Sequence, residues 1–327
     1  MPLIISILAG FLPMFFFAAI MYRFDRFEKE PGVLLVSVFL WGAFVAALGA
    51  FLVNTIFGVV VFAITESESA STAATVTFSA PIIEESLKGL AVLIVFLRFR
   101  REFDSVLDGI LYASITALGF AATENAYYIY AMGYAESGYS GILGMFFLRV
   151  VLVGWQHPFY TSFIGIGLAL ARLTKQSVGR AFYPLLGWLA AVSAHAIHNS
   201  LVSNENTFFT GIGLDWLGWF LMLLFILAAQ RKELALMKQY LASEVETGML
   251  SQEQFQMVTD FWSRTKHKVS AKSTIEQKQM KLMLQLSAEL AHKKSQLERY
   301  GEETGNSKEI EILRSKLKEF GANPATW

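Results

Sequence analysis

The chain has 327 residues, a formal net charge of zero and 54% hydrophobic residues, with a mean hydropathy of +0.45. Only 17% of residues are charged, and residues 1–230 hold 11 of the 27 Lys and Arg; soluble domains carry about 25% charge, so a single soluble domain is excluded and no bulk field points to nucleic acid. With no cysteine, disulfides, thiolate nucleophiles and cysteine-held metal or iron–sulfur centres are excluded as well.

Seven apolar segments follow one another, at 3–22, 32–64, 78–97, 105–132, 143–171, 182–203 and 212–230. Each reaches the length of about 20 residues that crosses the hydrocarbon. No Lys or Arg precedes Arg23, so the first reads as a retained span and not as a cleaved signal peptide. The second is too long for an upright span and must tilt or kink. Basic residues follow spans 1, 3, 5 and 7, whereas the loops 65–77, 133–142 and 204–211 contain none. That alternation predicts an outside N-terminus and a cytoplasmic C-terminus. The expected fold class is therefore all-α: a polytopic protein of the cell membrane, with seven transmembrane helices in residues 1–230 and a cytosolic helical tail over 231–327.

The tail reads as a helical hairpin or small bundle. Ser251 with Gln254 and Ser273 with Glu276 have capping-box spacing, and Asn306 with Glu309 marks a third helix start. Gly301 and Gly321 suit helix C′ positions. Leu, Met and Ile recur at helical spacing through 274–297 and 309–320. His267 and His292 stand among charges and are expected at the surface. No catalytic pattern occurs here, so the tail is expected to bind a cytosolic partner, to self-associate, or to extend the seventh span.

The informative residues are ionisable groups inside spans, since each costs about 2.5–3.5 kcal/mol or more at the bilayer centre. They are Glu84, Glu85 and Lys88 in span 3, Asp108 and Glu124 in span 4, Arg149 and His157 in span 5, and His195 and His198 in span 6, with Asn199 beside them. At a 1.5 Å rise per residue, Glu84 lies roughly 9–10 Å from the outer end of its span, Glu124 and His195 roughly 12 Å, and His157 about 15–20 Å. Four groups from four helices thus share one layer in the outer half of the membrane. Glu84 and Lys88 share a helix face at i,i+4, and Glu85 points about 100° away. His195 pairs in phase with either His198 or Asn199. Asp108 lies near the cytoplasmic end and reads as structural. Imidazoles with carboxylates make a divalent-metal site of the zinc kind, and a free carboxylate beside it is a general base for hydrolysis. The competing reading is a set of interhelical hydrogen bonds around one buried ion pair.

These residues resemble a known family. Glu84-Glu85-Ser86-Leu87-Lys88 resembles the EExxK motif of the PrsW family of intramembrane proteases. Phe103-Asp104-x3-Asp108-Gly109-x2-Tyr112, followed by Gly119-Phe120-x3-Glu124-Asn125, resembles the second block of that family. His157-Pro158-Phe159-Tyr160-Thr161 resembles the third, and His195-x2-His198-Asn199 the fourth. Asp25-Arg26-Phe27-Glu28-Lys29-Glu30-Pro31 is similar to its juxtamembrane element. The resemblance spans roughly residues 10–230 and leaves out the tail. It departs at Ala113, where the family often has Gly, a change of packing more than of chemistry. The family is similar in turn to the CAAX-protease and Abi group, in which a Glu pair, an Fx3H block and an Hx3N block form the site; here those blocks read Phe120-x3-Glu124 and His195-x3-Asn199.

The resemblance implies hydrolysis of a peptide bond in a membrane-anchored protein, of which anti-sigma factors are the family's example. In the expected mechanism His157, His195 and Glu124 hold a metal, zinc, and Glu84 activates water. Glu85 with Lys88 fixes that geometry or supplies a ligand. Asn199 or His198 steadies the oxyanion, with Asn125 and Asp108 in support. A metal-free glutamate mechanism is the alternative within the same class. A serine protease is disfavoured, because the Gly138-Tyr139-Ser140-Gly141 match falls in a Gly-rich outer loop. The non-enzymatic rival is a transporter or sensor, which would string such groups along a path instead of clustering them.

Overall fold

The structure is a computed structural model and describes residues 1–25, 27, 29–260, 274–302 and 305–322. Every regular element among them is helical. The chain divides into two compact units, Met1–Asp25 with Glu30–Ile226, and Arg26–Lys29 with Leu227–Trp327.

In the first unit, α1 (Pro2–Phe24) is followed by α2 (Gly32–Leu40), a π-helical segment (Trp41–Ala46) and α3 (Ala47–Thr65), the last three forming one helical run. Next come α4 (Glu68–Ala74), a second π segment (Thr75–Ser79) and α5 (Ala80–Arg98). Then α6 (Val106–Tyr128), a π segment (Ile129–Tyr134), α7 (Ala135–Phe146) and a further π segment (Phe147–Leu152) lead to α8 (Gln156–Leu173). The helices α9 (Ser177–Val202) and α10 (Phe208–Glu246) complete it, and α10 continues into the second unit.

α6 is the hub. It is buried almost continuously from Leu107 to Ala122, with α1, the α2–π run, α5 and α8 packed around it. Small residues allow this. A Cβ on Gly165 of α8 would lie 1.9 Å from the Gly109 carbonyl oxygen and 3.1 Å from the Ala113 Cβ, so the two backbones touch and the small side chain at 113 still fits. The start of α6 is closed by a capping box that sequence reading missed: Ser105 Oγ accepts from the Asp108 amide at 3.2 Å, while Asp108 Oδ2 accepts from the Ser105 amide at 2.6 Å and the Asp104 amide at 2.9 Å. Asp108 is thus a helix cap, away from the imidazoles.

Five helical runs among the described residues are long and apolar enough to cross a membrane: Pro2–Phe24, Gly32–Thr65, Val106–Leu173, Ser177–Val202 and Phe208–Glu246. The expected third span, now α5, is not among them; it carries Glu84, Glu85, Lys88 and Arg98. The expected fourth and fifth spans are read through as a single helical run. The loop expected at 133–142 is mostly helix, turned back on itself where Ser137 and Gly138 leave helical geometry; Gly138 has φ +63°. The long second span has its irregularity at Trp41–Ala46.

In the second unit, the distal part of α10, α11 (Gln252–Thr259), α12 (Thr274–Tyr300) and α13 (Asn306–Ala322) share a core of Met237, Leu241, Leu250, Met283, Leu290 and Leu313, joined by Phe27. The Ser251–Gln254 capping box forms, at 3.1 and 2.7 Å, and Gly301 ends α12 at φ +74°. Two expectations are corrected. α13 runs past Gly321 to Ala322. His292 is buried, 3.2 Å from Glu233, because α12 turns that face inward. Ser273 and His267 lie outside the described residues, as do Arg26 and Glu28.

Candidate active site

The N-terminal parts of α5 and α8 and the C-terminal halves of α6 and α9 bring the predicted groups into one cluster. Glu84 and Glu85 follow Pro81 in α5, which continues the second π segment without a break. Glu85 is the anchor. It is fully buried, and its Oε1 accepts from Lys88 Nζ at 2.5 Å and lies 2.9 Å from His195 Nδ1. Its Oε2 accepts from Thr161 Oγ1 at 2.8 Å. Lys88 therefore pairs at i,i+3, and it stands 4.0 Å from Glu84. An ionised Glu85 accepts a hydrogen bond from His195 Nδ1–H, which leaves the Nε2 lone pair free. That nitrogen faces Glu84 Oε2 at 3.9 Å.

His157 sits in the first turn of α8, directly after the turn at Val153–Trp155. Depth counted along an unbroken fifth span therefore does not apply to it. Its Nε2 is 2.7 Å from Glu124 Oε2 and its Nδ1 is 3.4 Å from Lys88 Nζ. Since an ammonium can only donate, Nδ1 accepts and Nε2–H donates to Glu124. Arg149 Nη2 reaches the same Glu124 oxygen at 2.6 Å, and Arg149 Nε donates to Asn125 Oδ1 at 3.1 Å.

Each imidazole thus has its own orienting carboxylate, Glu85 for His195 and Glu124 for His157. Glu84 has none. Its Oε2 is buried and hydrogen-bonds nothing. Glu84, His157 and His195 each offer one ligand atom within 4.8 Å of the others. Three carboxylates here face two permanent cations, Lys88 and Arg149, so Glu84 is the surplus charge. A buried surplus anion is costly. An orphaned carboxylate oxygen, a free imidazole lone pair and a second imidazole form a donor set that fits a divalent ion of the zinc kind. Sequence reading put Glu124 in the ligand set and Glu84 outside it; the geometry groups Glu84 with the imidazoles and ties Glu124 to Arg149.

The remaining predicted residues sit one layer out. Asn199 Nδ2 donates to the Val76 carbonyl at 2.8 Å, fastening α9 to the second π segment. His198 Nδ1 lies 2.5 Å from Asp215 Oδ2, out of hydrogen-bond alignment. Asn199 is thereby committed to the backbone, while His198 stands against Asp215. Ser140 is exposed and its hydroxyl donates to the Ser137 carbonyl. Two further residues escaped sequence reading. Tyr160 stacks on His195 with ring centroids 5.2 Å apart and donates to Asp215 Oδ1 at 2.7 Å. Asp215 is buried in α10, an ionisable group inside an apolar run, and that signal would have found it.

A cavity of ≈ 570 Å³ opens on this cluster. Glu84 and Glu124 lie in its wall, with α3, α4 and the second π segment opposite the C-terminal end of α6.

Comparison with known proteins agrees with the motifs. The profile of the family described as PrsW family intramembrane metalloprotease matches residues 30–229. Among curated proteins, the Protease PrsW of Clostridioides difficile (strain 630) is 38% identical over 108 residues, which is 33% of this chain and 43% of that protein. The Protease PrsW of Geobacillus kaustophilus (strain HTA426) is 27% identical over 194 residues, covering 59% of this chain and 78% of that protein. That of Oceanobacillus iheyensis is 30% identical over 204 residues, covering 61% and 84%. The chain therefore spans less than half the length of the first of these and most of the other two. No solved structure matches the chain.

Proposed function

The chain belongs to the PrsW family of intramembrane metalloproteases, and from that premise we propose that it hydrolyses a peptide bond of a membrane-anchored protein within the outer half of the cell membrane. The observation that carries this reading is the buried meeting of Glu84, His157 and His195 at the wall of a cavity among membrane-length helices. In this reading the first unit crosses the bilayer seven times, with α5 as the charged third crossing, the N-terminus outside and the tail in the cytoplasm. The substrate resembles the membrane-anchored regulators on which the family acts.

Glu84, His195 through Nε2, and His157 through the Nδ1 that Lys88 otherwise meets would hold the ion, zinc. When bound, it would supply Lewis-acid polarisation of the scissile carbonyl. Glu85, fixed by Lys88 and Thr161, holds His195 in the tautomer that leaves Nε2 free. Glu124 lines the cavity and is paired with Arg149. It takes the proton of the attacking water and returns it to the leaving amine. Lys88 and Arg149 remain charged throughout and offset the negative charge that builds as the carbonyl becomes tetrahedral.

A second reading has its own observation. Lys88 Nζ stands 3.4 Å from His157 Nδ1 and 4.0 Å from Glu84, so a fixed cation already occupies part of the cluster. In a metal-free glutamate protease Glu84 itself would be the base.

The test is metal content by mass spectrometry on detergent-purified protein, beside hydrolysis of single-span peptides. About one zinc per chain is expected in the wild type. It should be lost in His195→Ala and depleted in Glu84→Gln, but kept in Glu124→Gln, with hydrolysis abolished in all three. Retention in Glu84→Gln with loss in Glu124→Gln would exchange the two carboxylates. Hydrolysis by a wild type that carries no metal would select the glutamate mechanism. Metal without hydrolysis of any peptide would sink the peptidase reading.

A further inference from the structure

Three indole N–H groups of the first unit end on the two segments that carry the site residues. Trp188 of α9 donates to Ser86 Oγ at 3.0 Å. Trp41, the first residue of the first π segment, donates to the Leu87 carbonyl at 3.0 Å. Trp219 of α10 donates to the Trp155 carbonyl, just before His157. Ser86 and Leu87 are the residues between Glu85 and Lys88. The Leu87 side chain packs, with Trp41 and Ile83, on a small core of Ala46, Ala50 and Phe120.

An indole N–H in lipid needs an acceptor, and any nearby carbonyl can meet that need. The acceptors used here do more. Residues 84 to 88 make little over one turn of α5, each about 100° on from the last. Glu84 and Lys88 share one face, Glu85 takes the next, and Ser86 lies nearly opposite Glu84. α9 therefore grips this turn on two neighbouring faces, with His195 on Glu85 and Trp188 on Ser86. A helix held at one point can still rotate about its axis; held at two, it cannot. A rotation of about 20° would carry a carboxylate that stands roughly 6 Å from the axis by about 2 Å, against the ~0.5 Å within which reacting groups must be held. We infer that Trp188, supported by Trp41 from the α2 run, is a positioning residue: its hydrogen bond to Ser86 fixes the rotation of α5 that sets Glu84 beside His157 and His195 while Glu85 holds His195. This role rests on the peptidase reading and deepens it, because it gives the two residues between Glu85 and Lys88 a task in the site.

The test is a double-mutant cycle in the full-length protein. Ser86→Ala and Trp188→Phe are made singly and together, with Ser86→Thr as the variant that keeps the acceptor. Trp216→Phe on α10, where the indole is 50% exposed, controls for the loss of an indole as such. Hydrolysis of a single-span peptide is measured well below the lowest melting midpoint, beside thermal unfolding of each variant. Loss of one hydrogen bond should lower kcat about fivefold in Ser86→Ala and in Trp188→Phe, with KM unchanged. The double variant should fall no further than Trp188→Phe alone, and Ser86→Thr and Trp216→Phe should match the wild type. A wild-type kcat in Ser86→Ala, with only the melting midpoint lowered, would make the bond structural and overturn the positioning role while the peptidase reading stands. So would a raised KM at constant kcat, which would put Ser86 against the substrate, and so would two effects that simply multiply. A wild type that cleaves no peptide would sink the peptidase reading, and the positioning role with it.

Trp41→Phe gives a second arm. It leaves the Trp188–Ser86 bond intact and releases the same turn from the side of the α2 run. Because the two holds come from different helices, Trp41→Phe with Ser86→Ala should lower kcat by about the product of the single effects, roughly 25-fold. A double variant no slower than Ser86→Ala would strike Trp41 from the positioning role. Where Trp188→Phe fails to fold, the contrast of Ser86→Ala with Ser86→Thr decides the matter: a fivefold gap in kcat upholds the role and equal rates overturn it.

Discussion

Tyr160 touches the cluster in two ways, its ring against His195 and its hydroxyl on Asp215. The hydroxyl fixes the ring, and the ring stacks on the imidazole that Glu85 holds by Nδ1. Tyr160→Phe should keep the stacking and lose the hydrogen bond, at a cost of about 1 kcal/mol of stability. Turnover should fall severalfold with KM nearly constant, because the effect lies on the geometry of His195 and not on substrate contact. Thermal unfolding and steady-state kinetics of a single-span peptide would show this; unchanged turnover would make the hydroxyl idle. At this scale much was legible in the sequence. The cost of ionisable groups in the bilayer pointed to Glu84, Glu124, His157 and His195, and these four do meet. That Glu84 groups with the two imidazoles, with Glu124 drawn to Arg149, was not legible. It depends on where Arg149 reaches, and Arg149 lies in a π segment after a broken helix, where counting 3.6 residues per turn loses phase.

Several helices in this unit are joined by departures from α geometry instead of by loops. The π segments at 41–46, 75–79, 129–134 and 147–152 each shift the phase of the helix beyond them, and such segments gather at functional sites. The second of them supplies the carbonyl that Asn199 fastens. Hydropathy alone saw apolar runs and placed their ends well at α1, but it could not separate a span from a helical hairpin at Gly133–Gly141, where close-packed glycines replace turn residues. The α6–α8 contact offers a test. Gly165→Leu would push a side chain into the Gly109 carbonyl, 1.9 Å from where its Cβ must lie. Overpacking of this kind costs about 1–3 kcal/mol. Because α8 carries His157, activity should fall together with the melting temperature, whereas Gly144→Leu, where a Cβ meets nothing, should leave both near wild type.

At the scale of the whole molecule, two units have two different chemistries of cohesion. The first relies on close backbone approach and hydrogen bonds, the second on an aliphatic core with a buried ionic knot. Glu244 accepts from Lys294 at 2.6 Å and from Arg314 at 2.7 and 3.0 Å. Burial alone would raise its carboxyl, but the hydrogen bonds from Arg314 and Lys294 outweigh burial and hold it below the ordinary glutamate value of 4.5. A carboxyl depressed in the folded state stabilises fully above its unfolded value and loses that contribution as pH falls through the folded one. Hydrogen-exchange protection in α12 and α13 of the full chain, measured against the intrinsic exchange rate at each pH, should therefore be steady from neutral pH down to about pH 5 and fall below about pH 4. Glu244→Gln should flatten the acid limb and weaken the tail at neutral pH; a wild-type profile in that variant would acquit the knot. The helical tail itself was readable from its caps and spacing. The inward turn of His292 was not, because it depends on which face of α12 meets Glu233.

The burial of α6 on nearly every side has a consequence for biosynthesis. Its neighbours α1, α2 and α5 come close to it in the chain, but α8 is made later, and Ser114 finds its partner Ser162 only then. The span on which its neighbours lean is thus rich in Ala, Gly, Ser and Thr, and poorly suited to stay alone in lipid. His195 emerges later still. A ribosome-bound chain cut short before α9 therefore lacks a complete cluster, so activity is withheld until most of the membrane unit has been threaded and gathered round its central helix.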